Sequence, residues 1–114
     1  MSRLLLMRKN SAPKQIELSG ERMLVGRDAS NDLRIDHPQV SRHHLEFRVE
    51  GATTWLIDLA SRNGTLVNGR LVKHRALQHG DVIDVGDCSI RFLTRHTHFE
   101  LPKDLALTDW GRTV

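Results

Sequence analysis

Polar and apolar residues alternate along much of this chain. From His44 to Glu50 every second residue is apolar, the period of a strand with one face in a core and the other in solvent. Cys88-Ser89-Ile90-Arg91-Phe92 repeats the pattern, with Cys88, Ile90 and Phe92 on one face. Further strand-length runs fall at Arg3 to Arg8, Gln15 to Leu18, Met23 to Val25, Leu33 to Ile35, Thr54 to Leu59 and Asp81 to Val85. In the last of these, Ile83 and Val85 share a face. Turn signals separate the runs: Ser19-Gly20, Glu50-Gly51, Asn63-Gly64, Asn68-Gly69, His79-Gly80 and Gly86-Asp87. Asn68-Gly69, between Leu66-Val67 and Leu71-Val72, predicts a tight hairpin, because a type I′ turn needs positive φ at both central residues. No segment before residue 95 sustains a helical period. Short strands at roughly ten-residue spacing predict an all-β fold, a two-sheet antiparallel β-sandwich with its binding loops at one end.

Two segments break the alternation. Asp28 to Val40 and Ser61 to Thr65 are polar and hold little that must be buried, so both are expected to be loops, where a rigid sandwich carries its binding residues. From Arg95 to Val114 the character changes again. Residues 1–95 are therefore assigned to the domain and residues 96–114 to a tail or linker, with a possible helical turn at Pro102 to Leu107. Thr108, before Asp109 and Trp110, would be open to a kinase; once phosphorylated it could be bound by a second copy.

Composition narrows the class. A chain of 114 residues suits one domain. It has a single cysteine, Cys88, which excludes an internal disulfide and fits a cytoplasmic protein. Leu4-Leu5-Leu6-Met7 is too short for a signal peptide or a membrane span, so no membrane role is expected within this segment. The pI of about 9.6 and net charge of +3 raise the question of nucleic acid. The tail balances Arg95, Lys103 and Arg112 with Glu100, Asp104 and Asp109, so the excess lies in residues 1–94, interspersed with acids. A duplex needs a continuous basic stripe, and a single strand needs stacking aromatics; neither is present, and no nucleic acid is expected. The pattern suits a small anion site.

Four pieces carry that site, in order: Gly26-Arg27, Ser41-Arg42-His43-His44, Ser61-Arg62-Asn63-Gly64-Thr65 and Asn68-Gly69. Together they resemble the forkhead-associated family, whose pattern is G-R, then S-x-x-H, then a turn with N-G, then a second N-G. Gly80-Asp81-Val82-Ile83 and Gly86 resemble its closing strands, and the likeness spans roughly residues 3 to 94. The resemblance implies a phosphothreonine-reading module for a protein or peptide partner, downstream of a Ser/Thr kinase. It implies no catalysis and no cofactor. Arg27, Ser41 and Arg42 would contact the phosphate, and Asn63 the ligand's main chain. Arg62 stands where the family often has threonine and would add a phosphate or peptide contact. Gly26, His44, Gly64, Thr65, Asn68 and Gly69 would be the scaffold of the loops.

The chemistry of these residues agrees. Phosphothreonine carries close to two negative charges at neutral pH, since its second pKa is about 6. A planar guanidinium grips two phosphate oxygens, a serine hydroxyl donates, and a carboxamide both donates and accepts. Gln39, two before Ser41, falls near where similar domains read residues after the phosphothreonine; being uncharged, it gives no reason to expect a preference for acidic or basic side chains there. Other chemistries lack support. His43 and His44 are adjacent and face opposite ways, and His96 and His98 have no further ligand at zinc-like spacing, so no metal is expected. Asp58, Asp84 and Asp87 lack partner patterns for catalysis, and Cys88 lies on an apolar strand face. The alternative is a phosphate-independent protein–protein assembly module on the same fold.

Overall fold

A computed structural model describes residues 2–94; the tail from Arg95, with His96, His98 and Thr108, lies outside the described residues. Among the described residues no helix forms. The strands are β1 (Ser2–Arg8), β2 (Lys14–Leu18), β3 (Arg22–Gly26), β4 (Leu33–Arg34), β5 (Leu45–Glu50), β6 (Thr53–Asp58), β7 (Thr65–Val67), β8 (Arg70–Val72), β9 (His74–Ala76), β10 (Val82–Val85) and β11 (Cys88–Leu93). They form two sheets, ordered β2-β1-β11-β10-β7-β8 and β4-β3-β5-β6-β9.

The core lies between the sheets, where the alternation sends it. Leu4, Leu6, Val67, Ile83, Val85, Ile90 and Phe92 come from the first sheet, and Val25, Leu45, Phe47 and Leu56 from the second. Each such side chain contributes about 1.5–3 kcal/mol by leaving water. Cys88 is buried on the same face as Ile90 and Phe92. Asn68 and Gly69 have φ of 52° and 83°, the positive pair a type I′ turn requires, and Val67 faces Arg70 across it.

The structure departs from the sequence pattern in three places. The pairing is not wholly antiparallel: β4 runs parallel to β3, with Val25 opposite Leu33 and Gly26 opposite Arg34. The chain loops out through residues 27–32 and returns alongside, clasped by Leu24 N–H donating to Asp32 Oδ2 and Ile35 N–H to the Gly26 carbonyl. β9 had no alternation to reveal it; His74-Arg75-Ala76 forms as an edge paired with β6. Finally, Glu46 has the polar spacing of a solvent-facing residue yet is buried. Arg22 and Arg48, opposite each other in the β3–β5 register, both donate to its Oε2 at 3.1 and 2.8 Å. Burial pushes its carboxyl up, but the hydrogen bonds from Arg48 and Arg22 outweigh that and hold it below its ordinary range.

Among the described residues no helix is long and apolar enough to cross a membrane.

Candidate functional site

Three loops meet around one open cleft of about 490 Å³: residues 27–32 after β3, 35–44 before β5, and 59–64 after β6. Arg27, Ser41, Arg42, Arg62 and Asn63 all line it, although 36 positions of sequence separate the first from the last (63 − 27). Pro38, Gln39, Val40, His43, Leu59 and Ala60 complete the wall.

Arg27 is positioned twice. Its main-chain N–H donates to the Ser41 carbonyl at 2.9 Å, and its side-chain Nε donates to the Val40 carbonyl at 3.0 Å. The plane of the guanidinium is thereby fixed while its two terminal nitrogens stay available. Arg42 and Arg62 are exposed at the rim. Among the described residues no carboxylate forms an ion pair with Arg27, Arg42 or Arg62. Three cations share a concavity with no counter-charge bonded to them.

Gly26 is needed for close approach and not for a positive φ, which its backbone does not take. A Cβ there would collide with the Arg42 carbonyl and crowd Asn31 Nδ2. That carbonyl is anchored by Asn31 Nδ2 at 2.7 Å and by Asp28 N–H at 3.2 Å. Asn31 also donates to the Asp28 carbonyl at 2.8 Å, and its Oδ1 lies 3.3 Å from His43 Nδ1. The sequence reading missed Asn31. Its one available signal was an asparagine in a loop three residues after an aspartate, a common turn device.

His44 joins the other two loops. It is fully buried; its Nδ1 accepts from the Ser41 N–H at 3.1 Å, so Nε2 carries the proton and donates to the Gly64 carbonyl at 2.9 Å. Ser41 closes the junction: its hydroxyl oxygen accepts from the Arg62 N–H at 2.9 Å, leaving the hydroxyl proton to donate elsewhere. Asn63 Nδ2 donates to the Gln39 carbonyl at 2.9 Å, leaving its Oδ1 and a second N–H unused.

Asp58 organises the 59–64 loop. Its carboxylate accepts from Ser61 Oγ at 2.6 Å, Ser61 N–H at 3.1 Å and Thr65 Oγ1 at 2.8 Å. Ser61 Oγ in turn accepts from the Gly64 N–H. Burial pushes the Asp58 carboxyl up, but the hydrogen bonds from Ser61 and Thr65 prevail and hold it lowered. Gly64, at φ +84°, makes the turn out of this loop. Asn68 and Gly69 lie apart from the cleft. Asn68 clamps the hairpin to β10, donating to Asp81 Oδ1 and accepting from Val82 N–H, each at 2.9 Å. Among the described residues no group of three His, Cys, Asp or Glu side chains is placed to hold a metal ion.

Comparison with known proteins gives this arrangement a lineage. The glycogen accumulation regulator GarA of Mycolicibacterium smegmatis is 40% identical over 70 residues, which cover 61% of this chain and 44% of GarA. The oxoglutarate dehydrogenase inhibitor of Corynebacterium jeikeium is 34% identical over 90 residues, 79% of this chain and 62% of that protein. The chain thus spans less than two thirds of the length of these relatives. Among solved structures, one from a study of phosphothreonine-dependent FHA domain interactions is 32% identical, with a TM-score of 0.73, covering 82% of this chain and 97% of its own. The FhaA FHA domain, solved in complex with the intracellular domain of Rv3910, is 34% identical with a TM-score of 0.71, covering 78% and 98%. The family model for the FHA domain matches residues 23–86, more than half of the sequence and the stretch that holds every residue lining the cleft; the chain belongs to the FHA domain family.

Proposed function

We propose that this chain recognises phosphothreonine in a partner protein, in signalling set by a Ser/Thr kinase, and performs no chemistry on its ligand. The observation that carries the reading is the convergence of Arg27, Arg42 and Arg62, none in an ion pair among the described residues, with the Ser41 hydroxyl on one cleft. A phosphate dianion is the ligand that such a set serves best. Arg27 grips two phosphate oxygens, Ser41 donates its hydroxyl proton, and Arg42 and Arg62 supply further charge. Asn63 holds the peptide through its main chain, and Leu59 and Ala60 form the apolar wall for the threonine methyl. One methyl is worth only about 0.8 kcal/mol by transfer, so the fixed geometry of the loops supplies the rest of the discrimination against serine.

Relatives named as a regulator and as an inhibitor of a dehydrogenase support regulation by binding. Residues 1–95 form the binding unit, acting in the cytoplasm. Three or four charge-assisted hydrogen bonds of roughly 1.5–3 kcal/mol each, less the costs of association and ordering, correspond to affinity on the order of micromolar. Titration with degenerate phosphothreonine, phosphoserine and unphosphorylated peptide libraries tests the reading. Saturable binding of the first library alone supports it. Equal affinity for phosphorylated and unphosphorylated peptides, or no binding at all, would favour phosphate-independent assembly instead.

A further inference from the structure

Beside the phosphate cleft lies a second open cleft of about 370 Å³, which shares Ala60, Arg62 and Asn63 with the first. Its other wall is the β8 side: Leu71, Val72 and Lys73. Phosphate recognition makes no use of that wall. Leu71 is 65% exposed, and with Leu66 it makes up the exposed large hydrophobics among the described residues. The two stand opposite each other in the β7–β8 register and so share the outward face of the hairpin. The Asn68-Gly69 turn fixes this register, which turns Val72 inward against the core and Leu71 outward. Leu71 lies over the loop that carries Asn63: its Cδ1 is 2.5 Å from where a Cβ on Gly64 would stand.

A lone exposed leucine is ordinary. This one borders a cleft that shares Ala60, Arg62 and Asn63 with the ligand site, and we infer that the second cleft is a specificity subsite taking a bulky apolar side chain of the bound phosphopeptide, packed on Leu71. The inference rests on the phosphothreonine reading. Its occupant is the same peptide, because Asn63 stands on the rim of both clefts and an extended chain tethered there enters the second on leaving the first. Side chains alternate along such a chain at about 3.3 Å per residue, so one fixed position relative to the phosphothreonine meets Leu71. The cations of Arg62 and Lys73 flank the subsite and disfavour a basic residue there. Asp58, which also lines it, does not reverse this preference, since one carboxylate leaves the two cations in excess.

The test moves a leucine through each flanking position of an otherwise polyalanine phosphothreonine peptide, with binding read by fluorescence anisotropy against wild type, Leu71→Ala and Leu71→Lys. Each methylene withdrawn from water strengthens binding roughly fourfold; an open cleft covering about two of them gives roughly fifteenfold at one position. Both variants should melt like wild type and bind the leucine peptide no better than the alanine peptide. If alanine and leucine peptides bind alike at every position, or the leucine advantage survives in Leu71→Lys, the subsite is refuted and phosphothreonine recognition stands. Failure of every phosphopeptide to bind wild type would overturn that recognition and the subsite with it.

Discussion

Arg27→Ala strikes the group on which the proposed phosphate recognition leans most. Two hydrogen bonds fix Arg27 before any ligand arrives, one from its main chain to Ser41 and one from Nε to the Val40 carbonyl. The side chain is half-buried and its two terminal nitrogens are left to an anion. Truncation removes those donors and the charge together. Two charge-assisted bonds at the low end of their range, discounted for partial exposure to solvent, amount to at least about 2 kcal/mol, or roughly thirtyfold in affinity. The lost bond to Val40 costs folding about 1 kcal/mol, which lowers the melting temperature by several degrees without unfolding the domain.

Isothermal titration of wild type and Arg27→Ala with one phosphothreonine peptide and its unphosphorylated twin separates these effects, with a thermal melt alongside. Arg27→Lys is the informative control. It keeps the charge but has neither the planar fork nor the Nε–H that Val40 accepts, so a loss of roughly tenfold is expected. A folded Arg27→Ala that binds the phosphopeptide as wild type does would refute the role given to Arg27. A loss of equal size on both peptides would refute its link to phosphate.

Gly26→Ala should drive the Arg42 carbonyl and Asn31 aside and cost about 2 kcal/mol or more, read as a lower urea midpoint, with weaker phosphopeptide binding in step. His44→Ala should cost about 3 kcal/mol, because it opens a cavity and leaves the Ser41 N–H and Gly64 carbonyl without partners; the urea midpoint again reports it. Phosphopeptide affinity should fall between pH 7 and pH 5, as the phosphate takes up its second proton near about 6, and titration calorimetry at both pH values checks this. Asp58 sets a separate, more acidic limit. Its folded pKa is depressed, so its contribution is fully present above the unfolded value of about 3.9 and is lost as pH falls through the folded one; the denaturation midpoint should drop below about pH 4 in wild type and by less in Asp58→Asn, which keeps the share of the drop that comes from Glu46.

Alternation made the strands legible because each sheet buries one face, which writes a period of two into the sequence. β9 escaped because three residues on a sheet edge need no apolar alternation to pair with β6. Glu46 misled for a related reason: a polar residue signals solvent only if no partner covers it, and Arg22 from the neighbouring strand and Arg48 from its own do so. The cleft residues were recognisable as a set of motifs, yet nothing local in Arg27 indicates that Val40 orients it. Asn31 and Asp58 do their work through side-chain bonds to loop backbones, a role that leaves little trace in composition or spacing.

The hydrogen bonds among the loops divide each polar group so that the part a phosphate needs is the part left over. Ser41 spends a lone pair on Arg62 and keeps its proton; Asn63 spends one N–H on Gln39 and keeps its carbonyl and the other N–H; Arg27 spends Nε on Val40 and keeps its terminal nitrogens. Each of these bonds also crosses from one chain segment to another, so the loops are ordered against each other before a ligand arrives. Binding then pays less conformational entropy than three independent loops would demand. This is why His44 and Asp58, which line no phosphate oxygen in this reading, should affect affinity as well as stability. They hold the segments whose mutual spacing determines whether one phosphate can reach Arg27, Ser41 and Arg42 at once.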